Sequence, residues 1–323
     1  MRLHFVRGHC GWDVVTLLLG REVPSAMQLE VALQVLDAPV NGGIEAGILE
    51  RTGDPAAIRL RVTDGLTRGW LPMCGGMSQV IGKALVETSL REHFGIDCTA
   101  PMVRVRLQTD SCEVPLAIEV ADNKAVSVTT TMDSYAGHLY ELGIEPVMFT
   151  QVAGLRVGEF LVVDVADLET AYPGVDFTRR DPGAHLDIVN SMLESFARHL
   201  GGVQGVVSML YDDRPEGSGD FRAFPRFHGA DDTAARIPYE FQCGTGTVAV
   251  AVALAHARRL PFGGPHGSFV LEWGSQRATP DPFGIRTSKV DLELSDDRIV
   301  RIDFQHSVIE IVAEGTLLVP SAI

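Results

Sequence analysis

The sequence predicts an α+β protein built as two related halves, each made of many short strands and one buried helix. Three observations lead there. Short β segments separated by turns fill most of the chain. Two stretches, LPMCGGMSQVIGKALVET (71–88) and FQCGTGTVAVAVALAHA (241–257), each set a cysteine and a glycine-rich turn in front of a helical run. The two cysteines lie 169 residues apart in a chain of 323, long enough for two domains or two halves of one core.

Taken in order, LHFVRG, DVVTLLLG, EAGILE, IRLRVTDG, VRVRLQTD, VPLAIEV and KAVSVTTTM read as strands with turns between them. VMFTQVAGL, GEFLVVDV and GVVSMLYD repeat the habit after residue 145, and SFVLEWGS, KVDLELS, RIVRIDFQ and SVIEIVAEGTLLV close the chain. A helix begins near Gly75. Its apolar residues Met77, Val80, Ile81, Ala84 and Leu85 are spaced as on an amphipathic helix. The run after Gly246 is apolar all round, which is the mark of a buried helix. The stretch 184–202 is amphipathic, follows Asp181, Pro182 and Gly183, stops at Gly-Gly, and is expected on the outside of a sheet. Residues 132–146 and the loop DDRPEGSGD (212–220) read as linkers. The expected division is 1–137 for the half carrying Cys74, completed by C-terminal strands 300–323, and 138–299 for the half carrying Cys243.

Composition is globular, 46% hydrophobic and 21% charged, with a net charge of −15. An acidic surface argues against nucleic acid and anionic membrane as partners, because both need basic patches. It leaves room for a small anion held by local dipoles. The five cysteines, Cys10, Cys74, Cys98, Cys112 and Cys243, are odd in number with no CxxC pair. A disulfide framework or a structural metal site is therefore not expected. The N-terminus has no apolar signal segment, and VVTLLLG is too short to span a membrane. The expectation is a soluble cytoplasmic protein whose cysteines are thiols.

A cysteine at a helix mouth has a chemistry of its own. The first turn of a helix carries unpaired N–H groups and a partial positive charge, and both stabilise a thiolate. Glycines there let a carboxylate approach the backbone closely. Two such turns acting on one bound carboxylate suit proton removal by one thiolate and proton return by the other thiol on the opposite face. The outcome is inversion of a stereocentre without a cofactor. The helix-mouth donors also stabilise the enediolate-like charge that develops. Cys74 and Cys243 are the candidate acid and base, with Gly75, Gly76, Gly244, Thr245, Gly246 and Thr247 as the carboxylate cradle.

These residues bring the chain to a resemblance. MCGGMSQVIGKALVE resembles, without a gap, the MCGHGTIG stretch of the proline racemase family and the helix that follows it, and QCGTGTVA resembles that family's PCGTGTSA. Weaker echoes are His9-Cys10-Gly11 against an N-terminal HTGGEP-like motif, LQTDSCEVPLAIEV, and GSFVLEWGS. The resemblance covers most of the chain, but only the two cysteine motifs are specific. It implies the diaminopimelate epimerase-like fold, with two pseudo-symmetric halves each wrapping a sheet around a central helix. It also implies a racemase or epimerase that uses no pyridoxal phosphate or other cofactor and acts on an amino acid such as proline, often as a homodimer. His9 is a site candidate on the same ground.

Three departures bear on the substrate. Gly76 stands where the family has His or Asn. Trp12-Asp13 replaces Gly-Glu. Tyr239 stands where racemases carry the aspartate that pairs with the substrate ammonium. Tyr239, Glu240, Asp231 or Asp232 are the candidates to take over that contact. Loss of the aspartate opens an alternative, an allylic isomerase of an unsaturated di- or tricarboxylate or a hydroxyproline dehydratase-like lyase. A catalytically silent binding protein is a third reading.

Other motifs reduce to plainer roles. GTGTVA fits a GxGxxA dinucleotide fingerprint but lacks a clean apolar strand in front, and GGMSQVIGKA misses the P-loop spacing, with Ala84 where Ser or Thr is needed. Cys10, Cys98 and Cys112 read as small buried hydrophobes. His228 is a possible site residue, and His256 reads as a core histidine on the second buried helix.

Overall fold

The computed structural model describes residues 1–11, 13–38, 43–149, 151–179, 183–202, 206–227, 242–273 and 285–319. The chain divides into two compact units. One comprises Met1–Met132 with Val308–Ile323, the other Asp133–Ser307.

The first unit runs β1 (Arg2–Cys10), β2 (Asp13–Leu19), α1 (Gln28–Asp37), β3 (Glu45–Arg51), β4 (Ala57–Asp64), β5 (Trp70–Leu71), α2 (Gly75–Glu87), α3 (Leu90–Phe94), β6 (Met102–Gln108), β7 (Glu113–Ala121) and β8 (Lys124–Thr131). The second runs α4 (Asp133–Leu142), β9 (Ile144–Phe149), β10 (Val152–Val157), β11 (Phe160–Asp164), α5 (Val165–Ala171), α6 (Ala184–His199), β12 (Val207–Asp212), β13 (Phe221–Phe227), α7 (Gly244–His256), β14 (His266–Trp273), β15 (Arg286–Ser295) and β16 (Arg298–His306). The last strand, β17 (Ile309–Leu318), pairs antiparallel with β1 and so belongs to the first unit.

The repeat that the two cysteine turns hint at is complete in the pairing. In the first unit β17–β1 and β1–β2 are antiparallel, β2–β3 parallel, β3–β4 antiparallel, β4–β6 parallel, and β6–β7 and β7–β8 antiparallel. In the second, β9–β10 and β10–β11 are antiparallel, β11–β12 parallel, β12–β13 antiparallel, β13–β14 parallel, and β14–β15 and β15–β16 antiparallel. A parallel pair needs a long crossover. In both units the second crossover contains the helix that follows the cysteine turn.

That helix is the core of its unit. α2 packs on β1, β2, β7, β8 and β17, so the sheet curls around it. Eleven of its 13 residues are buried, so the amphipathic reading is corrected. Only Lys83 and Glu87 reach solvent, where they pair at 3.0 Å. The buried polar residues have partners: Ser78 Oγ lies 3.0 Å from Thr130 Oγ1, and Gln79 Nε2 donates to the same hydroxyl at 2.6 Å. Gly82 has no room for a Cβ, which would sit 2.5 Å from Val128 of β8. α7 is buried on every side, as its composition requires. α6 covers the other face of the second unit's sheet, with Leu186, Val189, Leu193 and Phe196 against Leu161, Leu210 and Phe224. Its Gly-Gly stop is a Schellman cap: Gly201 and Gly202 both have positive φ and donate to Arg198 and Ala197. Asp181 and Pro182 lie outside the described residues.

Two segments differ from their sequence reading. Residues 132–146 are not a linker, because 133–142 form α4, which packs on β16 and α7. All of α4 and β16 belong to the second unit, so the units part at 132/133 and 307/308. DDRPEGSGD is also no linker but the tight connection between β12 and β13. Buried Glu272 accepts N–H bonds from Glu216, Gly217 and Gly219 at 2.8, 2.9 and 2.7 Å. Among the described residues no helix is long and apolar enough to cross a membrane.

Candidate active site

Cys74 and Cys243 are each the N-cap of their helix. Both have extended backbone, and each side chain takes the place that Ser or Asp holds in an ordinary cap. Cys74 Sγ accepts the Met77 N–H at 3.2 Å, and Cys243 Sγ accepts the Gly246 N–H at 3.3 Å. The carbonyl of each cysteine accepts the first helical bond, from Ser78 and Thr247 respectively. The N–H groups of Gly75 and Gly76, and of Gly244 and Thr245, precede that first bond and have no acceptor within their helices. Each turn therefore offers two backbone donors beside a capped sulfur. Both cysteines are nearly buried, at 8% and 6% exposure, and all five cysteines are thiols.

The surroundings of the two sulfurs differ. A Cβ on Gly246 would lie 2.6 Å from Met209 Sδ and 3.1 Å from Cys243 Sγ, so a side chain there would have to displace the Met209 thioether. A Cβ on Gly76 would make ordinary contacts, 3.8 Å from Cys10 Sγ and 3.9 Å from Cys74 Sγ. Cys10, fully buried on β1, is thus a further thiol beside the Cys74 turn. Its neighbour His9 faces the other way, since alternate strand residues point to opposite faces. His9 Nε2 lies 3.2 Å from Glu310 Oε2 of β17. The residue of β1 that stands beside Gly76 in the Cys74 turn is Cys10. The parity of Gly8 signals this, because a Cβ on Gly8 would strike Val80 of α2 at 2.6 Å, and Cys10 shares its face.

In the second turn, Thr245 Oγ1 lies 3.5 Å from Cys243 Sγ. Thr247 donates both its N–H and its hydroxyl to the Cys243 carbonyl, each at 2.8 Å, so its donors serve the turn itself. Tyr239, Glu240, Asp231, Asp232 and His228 lie outside the described residues, as does Trp12. His256 is corrected: it sits exposed in the last turn of α7. Cys98 and Cys112 are half-buried rather than core, and burial pushes both thiols up, away from thiolate. Among the described residues no group of three or more His, Cys, Asp or Glu could hold a metal.

Sequence reasoning also missed what anchors the second turn. Gln242 Nε2 donates to the Thr287 carbonyl of β15 at 3.1 Å. Registers running from Met209 through Pro225, Ala223, Trp273 and Ser288 to His306 put a buried chain on the α7 face of the sheet. Trp273 Nε1 donates to Ser288 Oγ at 2.6 Å, and that oxygen lies 2.6 Å from His306 Nδ1. Burial drives His306 down from 6.5 to about 3, so the folded protein keeps this ring neutral. On unfolding in acid the ring takes up a proton. Stability is therefore expected to rise with pH between about 3 and 6.5 and to be lost as pH falls through that window. The slope from this residue is about 1 kcal/mol per pH unit. Urea unfolding of His306→Gln across pH 4 to 7 should show a shallower dependence than wild type; an identical slope would mean that the ring is charged in the fold.

The whole chain matches solved structures. It superposes on a hydroxyproline epimerase from Agrobacterium vitis, solved with trans-4-hydroxy-L-proline, with a TM-score of 0.61, 16% identity, and coverage of 98% of this chain and 92% of that one. A probable proline racemase from Agrobacterium radiobacter K84, solved with carbonate, gives 0.63 at 14% identity, covering 99% and 93%. The chain has the diaminopimelate epimerase-like fold of the proline racemases. A methylitaconate-delta-isomerase matches too, with a TM-score of 0.60, 14% identity and coverage of 98% and 95%. No protein-family model matches the chain, and neither does any curated protein.

Proposed function

We propose that this protein is a cofactor-independent isomerase that inverts the α-carbon of an amino acid, with Cys74 and Cys243 as the acid–base pair. One observation carries the reading. Two nearly buried thiols cap the two equivalent crossover helices of a repeated fold, each beside two backbone N–H groups without a helical acceptor. A thiol in that setting can hold or release a proton, and the free N–H groups can hold a carboxylate. The reading requires both thiols to reach the same carbon. One then takes the α-proton and the other delivers one from the far side, while the helix-mouth donors hold the charge that develops on the carboxylate. Which thiol acts as base depends on the enantiomer bound. The substrate is a small carboxylate; two proteins of the same fold are a hydroxyproline epimerase and a probable proline racemase.

A second reading is favoured by Tyr239, which stands where racemases resembling this chain carry an ammonium-binding aspartate. A site without that carboxylate suits an unsaturated di- or tricarboxylate whose proton moves across an allylic system, and one neighbour of the same fold is named a methylitaconate-delta-isomerase.

Proton exchange in D₂O separates the two. The protein is incubated with pooled L-amino acids, hydroxyprolines and small unsaturated tricarboxylates, and followed by proton NMR and chiral chromatography. Loss of one amino acid's α-proton signal with appearance of its D-enantiomer is the expected result. Double-bond migration confined to the unsaturated acids would replace it with the second reading. Exchange in none of them would leave a silent binding protein.

A further inference from the structure

We propose that the first unit carries a second ligand site, an arginine-lined cavity that binds a small polyanion, either a di- or tricarboxylate or a phosphate. The cavity has a volume of about 680 Å³, within the range of small-molecule sites. It lies at the end of the sheet where β3 finishes and α3 begins. α3 follows the C-terminal end of α2, whereas Cys74 caps the N-terminal end, and α2 is about 20 Å long. The cavity is therefore separate from the Cys74 turn.

Its lining runs against the charge of the whole chain. In a protein of net charge −15, three guanidiniums, Arg21, Arg51 and Arg59, face this space together with His93 and Gln108. The one carboxylate of the lining, Glu50, already accepts the Gln28 amide at 2.7 Å. The strand registers Glu50↔Arg59 and Arg59↔Gln108 set these side chains in a row across β3, β4 and β6. Arg51 is anchored by a donated bond to the His93 carbonyl. Arg59 pairs with exposed Asp110 at 2.9 Å, a contact that solvent screens. Among the described residues neither Arg21 nor Arg51 has a carboxylate within ion-pair distance. Their fields converge: burial first, and then Arg21 and Arg51 together, hold the His93 imidazole below its usual range, with Glu22 opposing. Arg21 and Arg51, exposed on the wall of this cavity and without a carboxylate partner among the described residues, can form charge-assisted, bidentate bonds to carboxylate and phosphate oxygens.

The test is calorimetric titration of the full chain with citrate and, separately, with inorganic phosphate, at constant ionic strength. Saturable binding of at least one probe is expected, and the one that binds names the chemistry. Arg21→Glu and Arg51→Gln should each weaken that binding by about ten-fold. Arg104→Glu makes the same charge change as Arg21→Glu at an exposed position of β6 outside the cavity lining, and should change it by less than about two-fold. Arg21 makes no hydrogen bond or ion pair among the described residues, so its variant should melt as wild type does. No saturable binding of either probe would overturn the proposal. So would binding unchanged in both cavity variants, as for an anion held at a cysteine turn, or weakened equally by Arg104→Glu. None of these outcomes depends on catalysis, so the proposed isomerase activity stands or falls separately.

Discussion

Cys74→Ser and Cys243→Ser are each expected to lower racemisation by about 10²- to 10⁴-fold, the usual worth of a positioned proton-transfer group. The fold should be unaffected. Serine is a good N-cap, and its oxygen can accept the same Met77 or Gly246 N–H that the sulfur accepts now. What is lost is a group that exchanges a proton readily near neutral pH. The finer expectation is an asymmetry between the variants. With one thiol gone, the other can still remove and return a proton on its own face, so each variant should exchange the α-proton of one enantiomer with D₂O while inverting neither. The two variants should prefer opposite enantiomers. Loss of inversion with reciprocal exchange is a result that a merely structural role for either cysteine would not produce. An allylic isomerase predicts something else: a proton moved along one face needs one base, so one of the two serines would be tolerated. Near-normal inversion in either variant would sink the two-thiol mechanism outright.

The cysteine turns were legible because the signal is local. A cap, two glycine-rich positions and a helical run occupy a few consecutive residues, and their chemistry follows from the helix end alone. The strand repeat was legible for a similar reason, since period-two segments and their turns are short-range features. What the sequence hides depends on distant partners. α2 reads as amphipathic because Ser78 and Gln79 are polar, yet both are buried against Thr130 of β8, some fifty residues on. α4 reads as a linker because Gly137 and turn-forming residues interrupt it. Its stripe of Tyr135, Ala136 and Leu139 becomes a helix face by packing, and Asp133 Oδ1 accepts the Ile302 N–H at 2.7 Å. Cys10 reads as a core residue and is fully buried, but that it also adjoins the Cys74 turn shows only in the packing of β1 on α2. The cavity arginines come from a turn and two strands, brought together by pairing and not by spacing.

Asp212→Ala is expected to cost the second unit about 3 kcal/mol, because it leaves a buried guanidinium without one of its two carboxylate partners. Asp212 and Arg222 are each 1% exposed and pair at 2.6 Å across the β12–β13 hairpin. Burial alone would push the Asp212 carboxyl up, but bonds from Arg214 and Arg222 outweigh it and hold the group below its usual range. Glu216 also pairs with Arg222 and remains in the variant, which keeps the cost toward the lower end of what an orphaned buried charge brings. The pair is coupled, so Asp212→Ala combined with Arg222→Met should cost less than the two single changes added together, by about 1–3 kcal/mol. Strict additivity in urea unfolding would show that the two side chains do not sense each other. The hairpin matters beyond stability. Its register carries Met209, whose Sδ occupies the space beside Gly246 that closes the Cys243 turn. Loosening the ion pair should therefore change the alkylation rate of Cys243 before that of Cys74, read residue by residue by mass spectrometry below the unfolding transition. Equal changes at both thiols would mean that Asp212 supports the fold at large. A change confined to Cys243 would mean that this buried pair sets the wall against which one of the two proposed acid–base thiols stands.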